Sequence, residues 1–260
     1  MTIELVTVPC LLDQPAFLNY SYLIHNSQTG ETVVVDPPET GPINAALEAR
    51  GWALSHILLT HHHWDHVDGV APLLETHSAQ VIGAAQDAHR LPPLDIEVMP
   101  GTPFTLAGTQ VEVFDVPGHT VGHVAYYIAE IGALLSGDSL MAGGCGRLFE
   151  GTPAQMWASL QQFRDLPPET LICSGHEYTQ SNLRFALTLE PDNSALISRL
   201  RAVDAARAAA KPTVPTKLAD EMATNPFLRA DVPALKAAMG LPEADALDVF
   251  TQARKRKDNF

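Results

Sequence analysis

The chain has 260 residues, 46% of them hydrophobic and 18% charged, the make-up of an ordinary globular protein rather than a disordered one. A net charge of −14 argues against a general nucleic-acid binder and means that an anionic substrate needs a local cationic patch. No apolar run approaches the ~20 residues of a membrane helix, no basic-then-apolar leader opens the sequence, and three cysteines without C-x-x-C spacing read as free thiols in a reducing compartment, so the expectation is a cytoplasmic protein with no membrane or nucleic-acid partner.

Residues 3–8 and 20–25 read as strands, and 32–36, with its V-V-V run, as a fully buried strand ended by Pro37 and Pro38. Residues 43–50 read as a short helix stopped by Gly51. The apolar strand 57–59 then opens into T-H-H-H-W-D-H-V-D-G, residues 60–69, ahead of a helix expected to run from about 69 to 77. His61, His63, Asp65 and His66 fall within six residues on this strand-to-helix turn. Imidazole nitrogen and carboxylate oxygen are donors that first-row metals accept. A lone histidine is more often a packing residue; four such side chains together are hard to explain as packing.

Further short strands are expected at 81–83, 104–106 and 111–116, and a strand pair at 123–128 and 133–136. Thr152-Pro153-Ala154-Gln155 combines a capping box with proline at the first helical position, and Met156, Trp157, Leu160 and Phe163 mark one face of the helix that follows. Residues 171–173 are the last clear strand. After Tyr178 the pattern is helical: Leu196, Ile197, Leu200 and Val203 recur at helical spacing, 211–215 is a break, and a final helix is expected over 242–257, starting at Pro242. The expected organisation is an α+β unit over 1–177 followed by a helical unit over 178–260.

Three more strands end in the manner of 57–59. Residues 111–116 run into P-G-H-T-V-G-H with His119, 133–136 into G-D-S with Asp138, and 171–173 into S-G-H with His176. Glycine lets the backbone turn sharply at each junction. The set then holds five histidines and two aspartates, too many for one tetrahedral zinc and suited to two metals that share a carboxylate. Such a pair, ~3.5–4 Å apart, acidifies a water and stabilises the oxyanion formed at a carbonyl. A metal-dependent hydrolase is the reading.

The order T-H-x-H-x-D-H, P-G-H-T, G-D and G-H resembles the metallo-β-lactamase superfamily. G-G-C-G-R-L-F-E-G-T at 143–152, G-H-E-Y-T at 175–179, N-P-F at 225–227 and the terminal R-K-R-K-D-N-F make the chain similar to the hydroxyacylglutathione hydrolase family within it. The resemblance implies an αββα sandwich over 1–177 and a small C-terminal helical domain over 178–260 that binds glutathione. It implies hydrolysis of S-lactoylglutathione and related 2-hydroxyacyl-glutathiones by a monomer. Two divalent metal ions are expected, zinc first, with iron or manganese as alternatives. By the same resemblance His61, His63 and His119 would hold one metal, Asp65, His66 and His176 the other, and Asp138 would bridge them, with His61, His63, Asp65 and Asp138 at the centre of catalysis. Arg147, Phe149, Tyr178, Arg254 and Lys257 would contact glutathione. Phe149 stands where some members have tyrosine and so lacks a hydroxyl, and Arg147 stands where some have lysine.

The tail also has a geometry of its own. Leu247, Phe250, Arg254 and Lys257 share one helical face, so an apolar stripe runs on into two cations. These either recruit the substrate's carboxylates or simply favour the helix C-terminal dipole. His62 is expected to point away from the ligands, His123 to be a hydrogen-bond partner or an internally satisfied strand residue, and Cys145 and Cys173 to be buried packing residues. A persulfide dioxygenase with one iron shares the G-C-G-R turn but not F-E-G-T or the helical tail. A non-catalytic metal-binding protein would have lost ligands, and all seven are present.

Overall fold

The computed structural model describes residues 2–14 and 18–260, and the chain divides into two compact units. One comprises Met1–Asp115 and Gly122–Gly137, the other Val116–Val121 and Asp138–Phe260.

In the first unit, β1 (Ile3–Cys10), β2 (Asn19–Asn26) and β3 (Thr32–Val35) form an antiparallel run. Helix α1 (Gly41–Glu48) leads into β4 (His56–Leu58), parallel to β3. Two short helices, α2 (Trp64–Val67) and α3 (Val70–Leu74), precede β5 (Gln80–Ala84) and β6 (Ile96–Val98), which continue the parallel half of a six-stranded sheet ordered β1 to β6. A second, antiparallel run follows: β7 (Phe104–Leu106), β8 (Thr109–Asp115), β9 (Val124–Ile128) and β10 (Ala133–Gly137). Strand β8 shows the period of two directly, with Val111 and Val113 buried and Gln110 and Glu112 exposed. Every residue of β3 and β9 is buried, as expected of continuous apolar runs covered on both faces. Leu23, Val34, Ile43, Ile57, Leu59 and Leu73 are among the core residues under α1 and α3.

The helix expected over 69–77 begins earlier, inside the histidine turn, and breaks at Asp68–Gly69. Gly69 donates its N–H to the Pro37 carbonyl at 2.9 Å. A Cβ there would lie 2.7 Å from that oxygen, so the close approach of backbone to backbone sets the break.

The second unit opens with the hairpin β11 (Leu140–Met141) and β12 (Gly144–Cys145). Helix α4 (Pro153–Gln161) starts with the expected capping box: the Gln155 N–H donates to Thr152 Oγ1 at 3.2 Å, and the Thr152 N–H to Gln155 Oε1 at 2.9 Å. Then come β13 (Leu171–Ser174), α5 (Thr179–Leu189) and α6 (Ser194–Ala208), the two helices joined by Leu183, Ala186, Leu196 and Val203. A two-residue strand, β14 (Thr216–Lys217), pairs antiparallel with β13, an element too short for its pattern to be read from sequence. Helices α7 (Leu218–Thr224), α8 (Pro233–Ala238) and α9 (Ala246–Asp258) complete the unit. Helix α9 starts four residues after the expected Pro242, because the Asp245 side chain caps it by accepting the Asp248 N–H at 2.8 Å. Phe250 of α9 packs against Trp157 of α4 with ring centres 5.7 Å apart. No helix among the described residues is long and apolar enough to cross a membrane.

Candidate metal centre

Each unit carries part of the expected donor set. In the first, β4 and the buried Leu59 and Thr60 deliver the histidine turn, and α2 begins within it. His61 and His66 are fully buried and Asp65 nearly so. The His61 ring lies 4.8 Å from that of His63 and 4.2 Å from that of His66, and His66 Nε2 is 4.0 Å from Asp65 Oδ2. The four side chains of the sequence motif therefore gather at one place.

Asp36 organises them. It directly follows β3 at φ +48°, a left-handed conformation that aspartate tolerates better than most residues. Its Oδ1 accepts the Thr60 N–H at 2.8 Å, and its Oδ2 accepts the Thr60 hydroxyl at 2.6 Å and His66 Nδ1–H at 3.1 Å. Thr60 has spent its only proton on Asp36, so Oγ1 can only accept from His61 Nδ1, 3.0 Å away. Both rings thus carry a proton on Nδ1, which leaves Nε2 as the atom able to bind a metal. Asp36 is close enough to His61 and His66 to enter a ligand set itself, but three donors already occupy its two oxygens. It orients two of the candidate ligands, His61 through Thr60 and His66 directly. Sequence reasoning missed it, although V-V-V-D is another apolar strand ending in a carboxylate.

In the second unit, Asp138 Oδ2 is 3.5 Å from His119 Nε2 and 3.2 Å from His176 Nε2, and all three residues are buried. His119 Nδ1 lies 2.7 Å from the Arg147 carbonyl. A carbonyl only accepts, so His119 carries a proton on Nδ1, and its Nε2 faces a carboxylate oxygen. A cation held between imidazole Nε2 and carboxylate oxygen suits such a buried place. Imidazoles with Nδ1 against an outer acceptor, as in His61, His66 and His119, with carboxylates close by, are a donor set that fits a divalent metal.

The expected substrate residues all lie in the second unit. Phe149, 62% exposed, meets the His119 ring edge-on at 5.2 Å, and Tyr178 stacks on His176 at 4.7 Å. Arg147 is exposed, with Nε 3.8 Å from Asp258 Oδ1. Lys257 Nζ lies 3.4 Å from the Ser181 carbonyl and 5.2 Å from the ring centres of both Phe185 and Phe260. Burial, and then the Arg254 charge, push its pKa down to about 8. Arg254 is only 5% exposed. Its Nη1 donates to the Cys145 carbonyl at 3.1 Å, and Nε and Nη2 donate to Asp258 Oδ1 at 3.1 and 2.8 Å. The face that sequence geometry drew as two cations thus holds one that is partly open and one engaged within the fold.

His62 places Nδ1 3.1 Å from Asp87 Oδ2, with its ring edge-on to that of His63 at 5.0 Å. His123 is buried, stacks on His61 at 4.6 Å, and reaches the Val124 carbonyl through Nδ1 at 3.0 Å. Cys10, Cys145 and Cys173 are free and buried.

Residues 15–176 match the family model of the metallo-β-lactamase superfamily, and residues 177–260 match the model of the hydroxyacylglutathione hydrolase C-terminus. A hydroxyacylglutathione hydrolase from Cereibacter sphaeroides is 58% identical over 260 residues, covering 100% of both chains. Among solved structures, the BLEG-1 B3 metallo-β-lactamase superposes with a TM-score of 0.66 at 23% identity, over 86% of this chain and 99% of that one. TTHA1623 in a di-iron-bound form superposes with a TM-score of 0.54 at 31% identity, over 66% of this chain and 91% of that one. These similarities agree with the donor geometry, and the chain belongs to the hydroxyacylglutathione hydrolase family, with the fold of the metallo-β-lactamase superfamily followed by a helical C-terminal region.

Proposed function

We propose that the chain hydrolyses the thioester of S-lactoylglutathione and related 2-hydroxyacyl-glutathiones, releasing glutathione and a 2-hydroxy acid such as D-lactate, the second step of methylglyoxal detoxification. The reading rests on 58% identity over the full length to a hydroxyacylglutathione hydrolase and, as the single structural observation, on Asp138 Oδ2 standing within 3.5 Å of two imidazole Nε2 atoms. We assign His61, His63 and His119 to one metal, Asp65, His66 and His176 to the other, and Asp138 to both. Zinc is the metal we expect, with iron or manganese as alternatives, since this donor set accepts all three; the di-iron form of TTHA1623 is a relative with two metals. When bound, the metals acidify water and offset the charge that builds on the thioester oxygen.

The chain's own residues supply orientation and exclusion. Asp36 and Thr60 lock His61 and His66 in the Nδ1–H tautomer, and the Arg147 carbonyl does so for His119. A thiolate leaves without prior protonation because it is only weakly basic, the pKa of its conjugate thiol being about 8.5, so no general acid is required. The three cysteines are not nucleophiles: burial raises the Cys10 pKa to about 11 and raises those of Cys145 and Cys173 as well, which suppresses the attacking thiolate. Residues 1–177 form the catalytic domain in this reading and 178–260 the glutathione-binding one. Arg147, Phe149, Tyr178 and Lys257 face the substrate, and Arg254 reaches it only if it gives up Asp258. A monomer in the cytoplasm completes the proposal. The test is purified protein with S-lactoylglutathione: loss of thioester absorbance together with two metal equivalents by elemental analysis supports it, and metal without turnover refutes it.

A further inference from the structure

The N-P-F motif and the buried charges of α7 and α9 play no part in the chemistry above, yet they converge on one turn. Residues 141–145 are buried, so their backbone polar groups need partners inside the protein. Asn225 Nδ2 lies 3.1 Å from the Met141 carbonyl and 2.9 Å from that of Gly144. Asn182 Nδ2 donates to the Ala142 carbonyl at 3.1 Å, Glu221 Oε2 accepts the Gly143 N–H at 2.7 Å, and Arg254 Nη1 donates to the Cys145 carbonyl at 3.1 Å. Five consecutive residues are thus each held by a buried side chain from the helical part of the chain. The amide of Asn225 is itself oriented, because its Oδ1 accepts the Phe227 N–H at 3.0 Å and so turns Nδ2 to the turn. Glu221 is buried and paired with Arg199, which is fixed in turn by Thr216 and Thr224.

The turn fits without slack. Gly143 has φ +69°, and a Cβ on Gly144 would lie 2.6 Å from Asn182 Nδ2. Two residues on, Gly146 packs so closely that a Cβ would strike the Asp138 carbonyl and stand 2.9 Å from His119 Nδ1. One residue further, the Arg147 carbonyl accepts from that same Nδ1 at 2.7 Å.

We propose that Asn182, Glu221, Asn225 and Arg254 are positioning residues for the metal ligand His119. They hold the 141–146 turn in the shape that aims the Arg147 carbonyl at His119 Nδ1 and so keeps Nε2 free for the metal. The helical part therefore sets metal affinity as well as substrate affinity. This rests on the metal-centre reading above. Asn182→Ala, Glu221→Gln and Asn225→Ala are each compared with the unaltered full chain by zinc titration against a competing chelator, by ¹⁵N spectra of His119 in metal-free protein, and by kcat and KM on S-lactoylglutathione. Zinc binding weakened about ten- to a hundredfold at one site, the usual cost of losing a partner of a metal-ligating histidine, is expected. With it should come loss of the pure Nδ1–H tautomer and a fall in kcat at nearly constant KM. Unchanged zinc affinity and tautomer with only a raised KM would overturn the proposal and leave these residues to substrate binding alone. Should Asn225→Ala fail to fold, Asn182→Ala, which removes a single hydrogen bond, carries the test. An unaltered chain that takes up no zinc overturns the metal reading itself, a result distinguishable from either outcome.

Discussion

The two units build their halves of the donor set in opposite ways. In the first, four donors come from one stretch of ten residues, and the orienting carboxylate Asp36 sits at the end of the strand adjacent to β4 in the sheet. In the second, three donors come from three separate loops, and the orienting group is the backbone carbonyl of Arg147 at the end of a glycine turn. That turn is held by helices as much as 109 residues away along the chain. The first half is local and self-contained; the second depends on long-range packing. Changes near the histidine turn should therefore act on the metal alone. Changes in the helices should act on the metal where the residue holds the 141–146 turn, and on the substrate where it does not.

Asp138→Ala is the strongest way to break the second half, since it removes a carboxylate within reach of both His119 and His176. A loss of at least about a hundredfold in kcat is expected, in the range for removing charge stabilisation from an active site, together with much of the metal, read by turnover and emission spectroscopy. Asp36→Asn should act next. It keeps the shape but gives Oδ2 a donor's character, so Thr60 and His66 lose an acceptor, and metal affinity should fall about ten- to a hundredfold with KM little changed.

Lys257→Ala separates substrate from metal. One charge-assisted hydrogen bond is worth ~1.5–3 kcal/mol at most and less where water screens it, so KM should rise roughly tenfold with kcat and zinc content kept. With a pKa of about 8, Lys257 is charged below that pH and neutral above it. In the unaltered chain KM should therefore climb as pH rises through 8, and in the variant it should not. High salt should shrink the difference, and a small thioester without glutathione's carboxylates should show none. The smallest effect belongs to Phe149→Tyr, which adds a hydroxyl beside the exposed ring over His119. One neutral hydrogen bond, ~0.5–1.5 kcal/mol, would lower KM by a few-fold at most.

The same contrast explains what could be read from sequence. T-H-H-H-W-D-H carries its candidate ligands within six residues after an apolar strand, so type and spacing announce them without any fold. His119, Asp138 and His176 were legible because each follows its own short strand, a repeated local pattern. Asp36 follows that pattern too and was passed over because no histidine stands beside it. The roles of Asn182 and Glu221 have no local signature: polar residues on helices look like solvated positions until the fold places them against a buried turn. N-P-F marks Asn225 as a family feature without showing what its side chain holds. Arg254 was read on the correct face of α9, but the periodicity that puts it beside Phe250 could not tell a cation aimed at a ligand from one buried on Cys145 and Asp258. Strand positions are legible through short apolar runs such as V-V-V at 33–35. The start of α9 was not, since Pro242 and Asp245 both signal a helix start and only Asp245 makes the capping hydrogen bond.

The most direct measurement is a zinc titration of the metal-free full chain with S-lactoylglutathione hydrolysis followed at each step. Two equivalents should bind, with turnover reaching its plateau only as the second is taken up. Turnover that is complete at one equivalent, or two bound equivalents with no loss of the thioester, would contradict a centre in which Asp138 serves two metals in thioester hydrolysis.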